Sequence, residues 1–240
     1  MYEDSLVRLS TPGKMPWYSY NIPAEHCKRG AELSEIEGSV CGDCYAKKRR
    51  YNFPVVKNAV DRNWKQYNKE VSNLSFHIWL WASIDQKFTN AKNVNRVNKH
   101  FFRLFDQGDI QSVQHLRQLT WVAKELPKIR FWCPTHEPFI VEEFVKEGHV
   151  IPKNFKIRIS DDFPDQEISE HQELIDKLNK CENVECKIGT SGVTTDIGNS
   201  NCIAHTQGNK CFGVNKKCAD CWLSVAVSYT HLTLPTILLV

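Results

Sequence analysis

Charge of neither sign dominates this chain of 240 residues. Its 31 basic and 28 acidic side chains leave a formal net charge of +3, which is too small to predict nucleic-acid binding from electrostatic attraction alone. Met1 is followed by Tyr2, Glu3 and Asp4, so the charged and then apolar pattern of an export signal is missing. No internal repeat is visible. We therefore expect a cytoplasmic protein.

Long apolar runs are also missing, except in the last residues, "LSVAVSYTHLTLPTILLV" (223–240). This run is a poor membrane anchor, because Pro235 and several Ser, Thr and His residues interrupt a length that barely spans a bilayer. Its "VSYTHLTLPT" resembles the translation of a sequencing adapter, so we predict a non-native tail and a missing native C-terminus. Residues 1–222, in a chain that is 41% hydrophobic, are expected to form a single domain.

The chain is rich in cysteine, with ten residues. In a reducing compartment, clustered cysteines indicate metal ligands or catalytic groups rather than disulfides. They divide into a front group, a rear group and three scattered residues: Cys27, Cys41 and Cys44; Cys202, Cys211, Cys218 and Cys221; Cys133, Cys181 and Cys186.

The front group offers three thiols in one polar loop and no fourth. A structural zinc site would need another ligand, such as His26, His205 or a rear cysteine. A four-iron four-sulfur cluster could use three cysteines and keep one iron open for substrate or cofactor. A redox dithiol at "CGDC" is less consistent, because it would leave the third cysteine idle. The spacing favours metal but does not choose between zinc and a cluster.

The rear group, "CIAHTQGNKCFGVNKKCADC" (202–221), has little apolar surface of its own. Metal binding would supply the free energy that orders such a segment. A four-thiolate zinc site or a second iron-sulfur cluster would each satisfy it. A mixed site, in which a rear cysteine completes the front group, is the alternative.

The middle of the chain alternates between strand and helix patterns. Short apolar runs predict strands at 100–105, 129–133, 155–160 and 184–189. Helical spacing predicts helices at 54–70, 76–88, 112–126, 138–149 and 167–180, with Ser112 as an N-cap. The "WYSY" segment (17–20) is either an irregular arm or a first strand. This alternation indicates an α/β fold with a parallel sheet.

Polar residues follow each predicted strand, where ligands of parallel α/β proteins bind. These residues are Asp106, Gly108 and Asp109; Cys133, Thr135, His136 and Glu137; Ser160, Asp161 and Asp162; Thr190 and Ser191. Turns and helix caps also require such residues. Asp106 and Asp109 are the pair we single out as ligand-binding, because Gly108 between them allows close backbone approach.

Several segments together resemble a phage-encoded and bacterial family known as gene product 88-like. They are "TPGKMPWYSYNIPAEHC", "CGDCYAKKRRYNFPVV", "FFRLFDQGDIQS", "IRFWCPTHE", "HTQGNKC" and "CADCW". The resemblance covers roughly residues 11 to 222 in the same order. It implies no established activity. The front and rear cysteines all have counterparts in that family, whereas Cys133 does not, so Cys133 is left out of the ligand set.

The "CGDCYA" segment, ahead of a parallel α/β region, is also similar to the radical S-adenosylmethionine superfamily. That resemblance implies a four-iron four-sulfur cluster on Cys27, Cys41 and Cys44, with Tyr45 packed beside it. It also implies S-adenosylmethionine near Gly108 and Asp109. For the fold, we expect the parallel sheet and its helices to form a partial (β/α) barrel. The chain departs from the usual motif, because thirteen residues separate its first two cysteines.

We therefore expect an iron-sulfur protein with cysteine-rich loops at both ends of the sheet, and radical chemistry on an unknown substrate. The rival hypothesis is a zinc-binding structural or nucleic-acid-associated protein. Its best support is "KKRRY" (47–51), where four cations beside an aromatic residue could grip phosphates, although such runs are usually solvated surface. A cluster used only for electron transfer or sensing is a third option.

Overall fold

The computed structural model describes residues 7–12, 18–71, 75–89, 100–196, 221 and 226–229. Within them the strands are β1 (Ser19–Tyr20), β2 (Phe101–Leu104), β3 (Arg130–Thr135), β4 (Phe155–Ser160), β5 (Gly189–Val193) and β6 (Ala226–Tyr229). The α-helices are α1 (Lys28–Ser34), α2 (Pro54–Val71), α3 (Phe76–Thr89), α4 (Val113–Glu125), α5 (Pro138–Lys146) and α6 (Gln172–Leu178). Short 3-10 helices lie at Ala24–His26, Tyr45–Lys47 and Arg49–Asn52.

The strands form one sheet in the order β1-β2-β3-β4-β5-β6, and every neighbouring pair is parallel. The predicted α/β fold with a parallel sheet is therefore confirmed. Buried side chains of the described helices α3 to α6 pack in one cluster with alternate residues of β2, β3 and β4, so these helices lie on one face of the sheet. This is the winding of a partial (β/α) barrel, and in the part of the chain that the structure describes β1 and β6 are its open edges.

Four of the predicted elements illustrate how local pattern translates into structure. β4 has its predicted bounds, and Ser112 caps α4 by accepting a hydrogen bond from the backbone N–H of His115 (3.1 Å). Segment 76–88 is helical, because Phe76, Leu80 and Ile84 are buried at a spacing of four residues. α6 is shorter than the predicted 167–180, since Ser169 and Glu170 bond instead to the end of β4.

The prediction of the last central strand was wrong in position. We expected it at 184–189, but β5 runs from Gly189 to Val193. Val184 makes only an isolated bridge to Ile151. The strand is the "GTSGV" segment, which has low intrinsic β-propensity, because the neighbouring strands β4 and β6 pair with its backbone. Thr190 and Ser191, expected just beyond a strand, therefore lie inside one.

The main hydrophobic core lies between the sheet and its helices. Alternate residues of the central strands point into it: Phe102 and Leu104 of β2, Phe131 and Cys133 of β3, and Phe155, Ile157 and Ile159 of β4. Helices α3, α4 and α5 cover them with buried side chains such as Leu80, Leu116 and Phe144. The opposite face of the same strands mixes buried charged and aromatic side chains: Arg103, Trp132, Lys156 and Arg158.

β6 lies inside the segment 223–240 that we predicted to be a non-native tail. Its Ala226 pairs with Thr190 of β5, and the pairing continues to Tyr229. The origin of this tail stays a prediction. None of the helices in the described ranges combines the length and the apolar character that crossing a bilayer requires.

Candidate metal centre

The front cysteines lie over the carboxyl edge of the sheet. Cys27 is the N-cap of α1, and Cys41 and Cys44 lie in the turns that follow this helix. The backbone N–H of Arg29 donates to Glu137 at the end of β3 (2.9 Å), and that of Val40 donates to the carbonyl of Asp162 at the end of β4 (2.9 Å). The loop is thus bound to two strand ends, where ligands of such folds bind.

The three thiols lie close to one another. A Cβ placed on Gly30 would be 3.6 Å from Cys41 Sγ and 3.9 Å from Cys27 Sγ, so glycine leaves room between them. Burial raises the pKa of Cys27, and the nearby charges of Cys44 and Cys41 raise it further. Burial also raises the pKa of Cys44, against which the backbone N–H of Ala46 acts in the opposite direction. The front cysteines therefore share one partly buried place.

The thiols are nevertheless too far apart to bind one ion as they stand. Two sulfurs on a single zinc can be at most about 4.6 Å apart, because each Zn–S bond is about 2.3 Å. Among the described residues, only Asp162, Glu170 and His171 bring three potential ligand atoms within 4.8 Å of one another. A multi-iron cluster separates its ligands further, since each cysteine binds a different iron. The described positions of the three thiols therefore do not form a site for a single ion, and the choice between zinc and a cluster stays a prediction.

His136 links the thiols to the sheet. Its Nδ1 lies 3.4 Å from Asp162 Oδ1, and the ring lies near Cys41. Burial lowers the pKa of His136, but the neighbouring Asp162, Cys41 and Asp109 raise it to about 10 overall. Sequence reasoning placed His136 at a strand end but did not assign it to the thiols.

Asp109, predicted to bind a ligand, holds two strand ends together. Its Oδ1 accepts from the hydroxyl of Thr135 (2.6 Å) and the N–H of Ile110 (2.7 Å), and its Oδ2 accepts from the N–H of His136 (2.8 Å). Burial raises the pKa of Asp109, while these bonds act in the opposite direction. Asp109 is thus a structural link between the ends of β2 and β3.

Gly108 is required for a different close approach from the one we expected. Its φ is +82°, and a Cβ there would lie 2.3 Å from Ile22 Cγ1 and 2.5 Å from the Ile22 carbonyl oxygen. The glycine therefore accommodates the chain leaving β1. A role in ligand approach stays a prediction.

Asp106 and Tyr45 belong to a partly buried polar network. Asp106 pairs with Arg103 (2.8 Å) and accepts from the hydroxyl of Tyr51 (2.8 Å). The Tyr45 hydroxyl donates to the Asp106 carbonyl (2.6 Å), and Arg103 donates to that hydroxyl (3.3 Å). Because Tyr45 follows Cys44, this network anchors the last front cysteine to β2. Contact of Asp106 or Tyr45 with a cofactor stays a prediction.

The suggested fourth ligands of the front group are placed elsewhere or lie outside the described residues. The His26 ring stacks on Trp64, with centroids 3.8 Å apart. His205 lies outside the described residues, as do three of the four rear cysteines, Cys202, Cys211 and Cys218. Cys221 is buried, and its carbonyl accepts from Arg158 Nε (2.8 Å). Cys133, left out of the ligand set, lies in the core.

The Asp162–Glu170–His171 group is a poor cation site despite its short separations. Asp162 already pairs with Arg29 (2.7 Å) and His136, so two cationic side chains face it. Glu170 accepts the backbone N–H of Asp162 (2.6 Å). These contacts explain the grouping without a metal ion.

The basic run at 47–50 lies on the surface beside the front cysteines. Lys47, Lys48 and Arg50 are exposed, and Lys48 pairs with Asp43. Nucleic-acid binding through this run stays a prediction.

A family model described as gene product 88 matches residues 3–223. The chain belongs to the gene product 88 family. No curated protein and no solved structure matches it. Both cysteine groups fall within the part of the chain that matches gene product 88, so the candidate centre is part of the family's domain.

Proposed function

We propose that this gene product 88 chain binds a four-iron four-sulfur cluster through Cys27, Cys41 and Cys44 and acts as a radical S-adenosylmethionine enzyme. The observation that carries the proposal is the grouping of three thiols at the carboxyl edge of an open parallel sheet, with separations too large for one ion. Three ligands leave one iron of a cluster open to a small molecule.

Cys27, Cys41 and Cys44 would hold the cluster, and with an external one-electron donor it would supply reductive cleavage of S-adenosylmethionine and hydrogen abstraction from substrate. The chain's own residues hold the site. The backbone N–H of Ala46 stabilises charge on Cys44, and His136 lies beside Cys41. Hydrogen bonds and charges around cluster sulfurs adjust the reduction potential.

The strand ends give the proposed site its rigidity. Asp109 fastens β2 to β3, and the Arg103–Asp106 pair fastens the Tyr45 turn to β2. A centre held by side chains whose own positions are bonded loses little entropy when a ligand binds. These residues are positioning residues in this proposal.

Zinc is the alternative to a cluster at the front cysteines. A zinc site at the front cysteines would require the loop to contract until three sulfurs lie within about 4.6 Å of one another. The rear cysteines could hold zinc independently of the front site, since four thiolates suffice for a closed tetrahedron. Metal content must therefore be assigned to each group separately.

The test is metal analysis of protein purified without oxygen. We expect about four irons and four sulfides per chain at the front site and brown colour with broad absorbance in the visible blue. After reduction, we expect S-adenosylmethionine to be split to 5′-deoxyadenosine and methionine, measured by chromatography. Colourless protein with stoichiometric zinc would overturn the cluster. Brown protein that leaves S-adenosylmethionine intact would support the cluster but contradict the proposed enzymatic activity.

A further inference from the structure

A cavity of about 250 Å³ lies among the helices that cover the sheet. Its lining residues come from α3, α4, α5 and the loop after α5, and they include His77 of α3, Gln118 and Trp121 of α4, and Phe144 of α5. Small-molecule pockets begin at roughly 300 Å³, so a cavity of this size suits one ring system with its substituents rather than a long chain. The front cysteines lie elsewhere, over the strand ends, so this cavity has no part in the candidate metal centre.

The side chain of Gln118 is buried in the wall of this cavity and is only 3% exposed. Neither its Oε1 nor its Nε2 has a hydrogen-bond partner among the described residues. Buried amides are nearly always hydrogen-bonded, because leaving their polar atoms unpaired costs free energy. The amide presents an acceptor beside a donor, so one ligand that carries a donor beside an acceptor would satisfy both atoms.

His77 adds another unpaired atom from a second helix. Its Nδ1 is buried and has no hydrogen-bond partner in the part of the chain that the structure describes. Burial lowers the pKa of His77 below its ordinary value, so the ring is uncharged at neutral pH and combines one donor with one acceptor. The buried side of the cavity is therefore polar but uncharged, which suits an uncharged hydrogen-bonding group.

Two aromatic pairs line the same cavity. The rings of His77 and Trp121 cross at 75° with their centroids 4.5 Å apart, and the rings of Phe144 and His149 lie 5.1 Å apart at 48°. All four residues contribute to the lining. Flat side chains of this kind hold a planar ring by stacking or by edge-to-face contact. A heteroaromatic base, whose edge carries donors and acceptors, fits both these walls and the unpaired amide.

The exposed rim of the cavity is basic. Arg117 and Lys124 are exposed residues of α4 that line it, and Arg117 donates to the uncharged Oε1 of Gln114 (3.1 Å). None of the described lining residues is acidic. Cationic side chains form charge-assisted hydrogen bonds with phosphate, and exposed ones need little desolvation to do so. The rim therefore suits the anionic end of a ligand whose uncharged ring lies deeper in the cavity.

We propose that this cavity binds an adenine nucleotide, with the base against Gln118 and Trp121 and the phosphate at Arg117 and Lys124. Adenine carries an amino donor beside a ring-nitrogen acceptor, and a glutamine amide pairs with both at once. The proposal is independent of the iron-sulfur function, because its residues belong to the helices and not to the cysteine loop.

The test is isothermal titration calorimetry of the purified full chain with adenosine 5′-monophosphate. Purine riboside 5′-monophosphate, which lacks the amino group, is the matched ligand. We expect the adenine nucleotide to bind about tenfold more tightly, since the matched ligand offers Gln118 Oε1 no donor and loses one arm of the bidentate pair. Equal affinities overturn the proposal, as does no binding of adenosine 5′-monophosphate at millimolar concentration. This comparison uses the wild-type chain and depends on no variant.

Variants assign the binding to the cavity. Gln118→Leu keeps the approximate size of the side chain but not the amide, so it should weaken binding of adenosine 5′-monophosphate about tenfold. It should also raise the Tm of the ligand-free chain, because a buried unpaired amide is removed. Gln86→Leu, at an exposed position of α3 outside the lining, should bind like wild type. A Gln118→Leu chain with a lower Tm and unchanged affinity shows that ordered water satisfies the amide, and it overturns the proposal.

Lys124→Met tests the phosphate end of the site. It should weaken binding of adenosine 5′-monophosphate about threefold, the size of an exposed charge contact. It should leave the affinity for adenosine, which has no phosphate, unchanged. An equal effect on the two ligands contradicts the placement of the phosphate at this rim.

Iron content of the same samples keeps this proposal distinct from the cluster. Cys41→Ser should lose iron and keep the wild-type affinity for adenosine 5′-monophosphate. Loss of both would place the nucleotide at the front cysteines and overturn the cavity site. Nucleotide binding by iron-free wild type contradicts only the cluster, and iron without nucleotide binding contradicts only the cavity site.

Discussion

Arg29 and Asp162 form an ion pair, with 2.7 Å between Nη2 and Oδ2, that joins the helix after the first cysteine to the end of β4. Asp162 also accepts from His136, and its carbonyl accepts the N–H of Val40 just before the second cysteine. Asp162 thus holds the cysteine loop at both of its ends. The shape of the candidate centre depends on this carboxylate as much as on the thiols.

Removing the Arg29–Asp162 ion pair should lower the free energy of unfolding, and the two side chains should show a measurable coupling energy. A double-mutant cycle with Arg29→Gln and Asp162→Asn should give about 1 kcal/mol of coupling in urea unfolding, because Asp162 is buried but Arg29 is partly exposed. The same arginine pairs with exposed Glu32 (3.1 Å). The matched cycle with Glu32→Gln should give about 0.3 kcal/mol. Equal coupling in the two cycles would contradict the anchoring role of Asp162.

The front cysteines should act as one set in metal binding. Cys27→Ser, Cys41→Ser and Cys44→Ser should each reduce iron per chain on the order of tenfold, because an incomplete ligand set loses most of its affinity. Cys181→Ser, at a partly buried cysteine outside both groups, should keep wild-type iron and visible absorbance. Iron retained by any of the three front variants would remove that residue from the ligand set.

Gly108 should tolerate no side chain, whereas Gly148 should tolerate one at moderate cost. Both have positive φ, +82° and +80°, but a Cβ at Gly148 meets nothing within 4 Å. Gly148→Ala should therefore cost about 1–2 kcal/mol of unfolding free energy from backbone strain. Gly108→Ala should cost about 2 kcal/mol more, because it also overlaps Ile22. Denaturant unfolding measures both, and similar losses would contradict the close approach.

His115 should make the fold weaker in acid. The side chain is fully buried against the rings of Tyr20, Tyr67 and Phe76, and its Nδ1 accepts from the N–H of Gln111 (3.2 Å). Burial lowers the pKa of His115 from 6.5 to about 3. Between these values the unfolded chain binds a proton that the folded chain does not. The contribution of His115 to the free energy of unfolding is thus complete above pH 6.5 and falls as the pH decreases toward 3.

The variant His115→Asn keeps an acceptor but cannot titrate in this range. The wild-type free energy of unfolding should fall by up to about 1.4 kcal/mol per pH unit from this group below pH 6.5. Urea unfolding between pH 7 and pH 4 should show a shallower dependence in the variant. His100→Asn, at an exposed position, should retain the wild-type slope. Identical slopes in wild type and His115→Asn would show that another group carries the acid response.

The local sequence pattern was sufficient to predict those helices and strands whose buried residues follow their periodicity. β4 and the start of α4 follow from an apolar strand and an N-cap serine, both of which depend on neighbouring residues only. β5 could not be located this way, because "GTSGV" becomes a strand through pairing with β4 and β6. Gly108 was recognised as a site of close approach, but its partner, Ile22, comes from a distant segment.

The sequence by itself determined an α/β chain of alternating strands and helices and the grouping of its cysteines, since both are local patterns. Only the tertiary structure decided which groups surround the thiols. Arg29 meets Asp162 across 133 positions and Glu137 across 108. Sheet register and chain crossovers set such contacts, because they bring strand ends together irrespective of the residues between them.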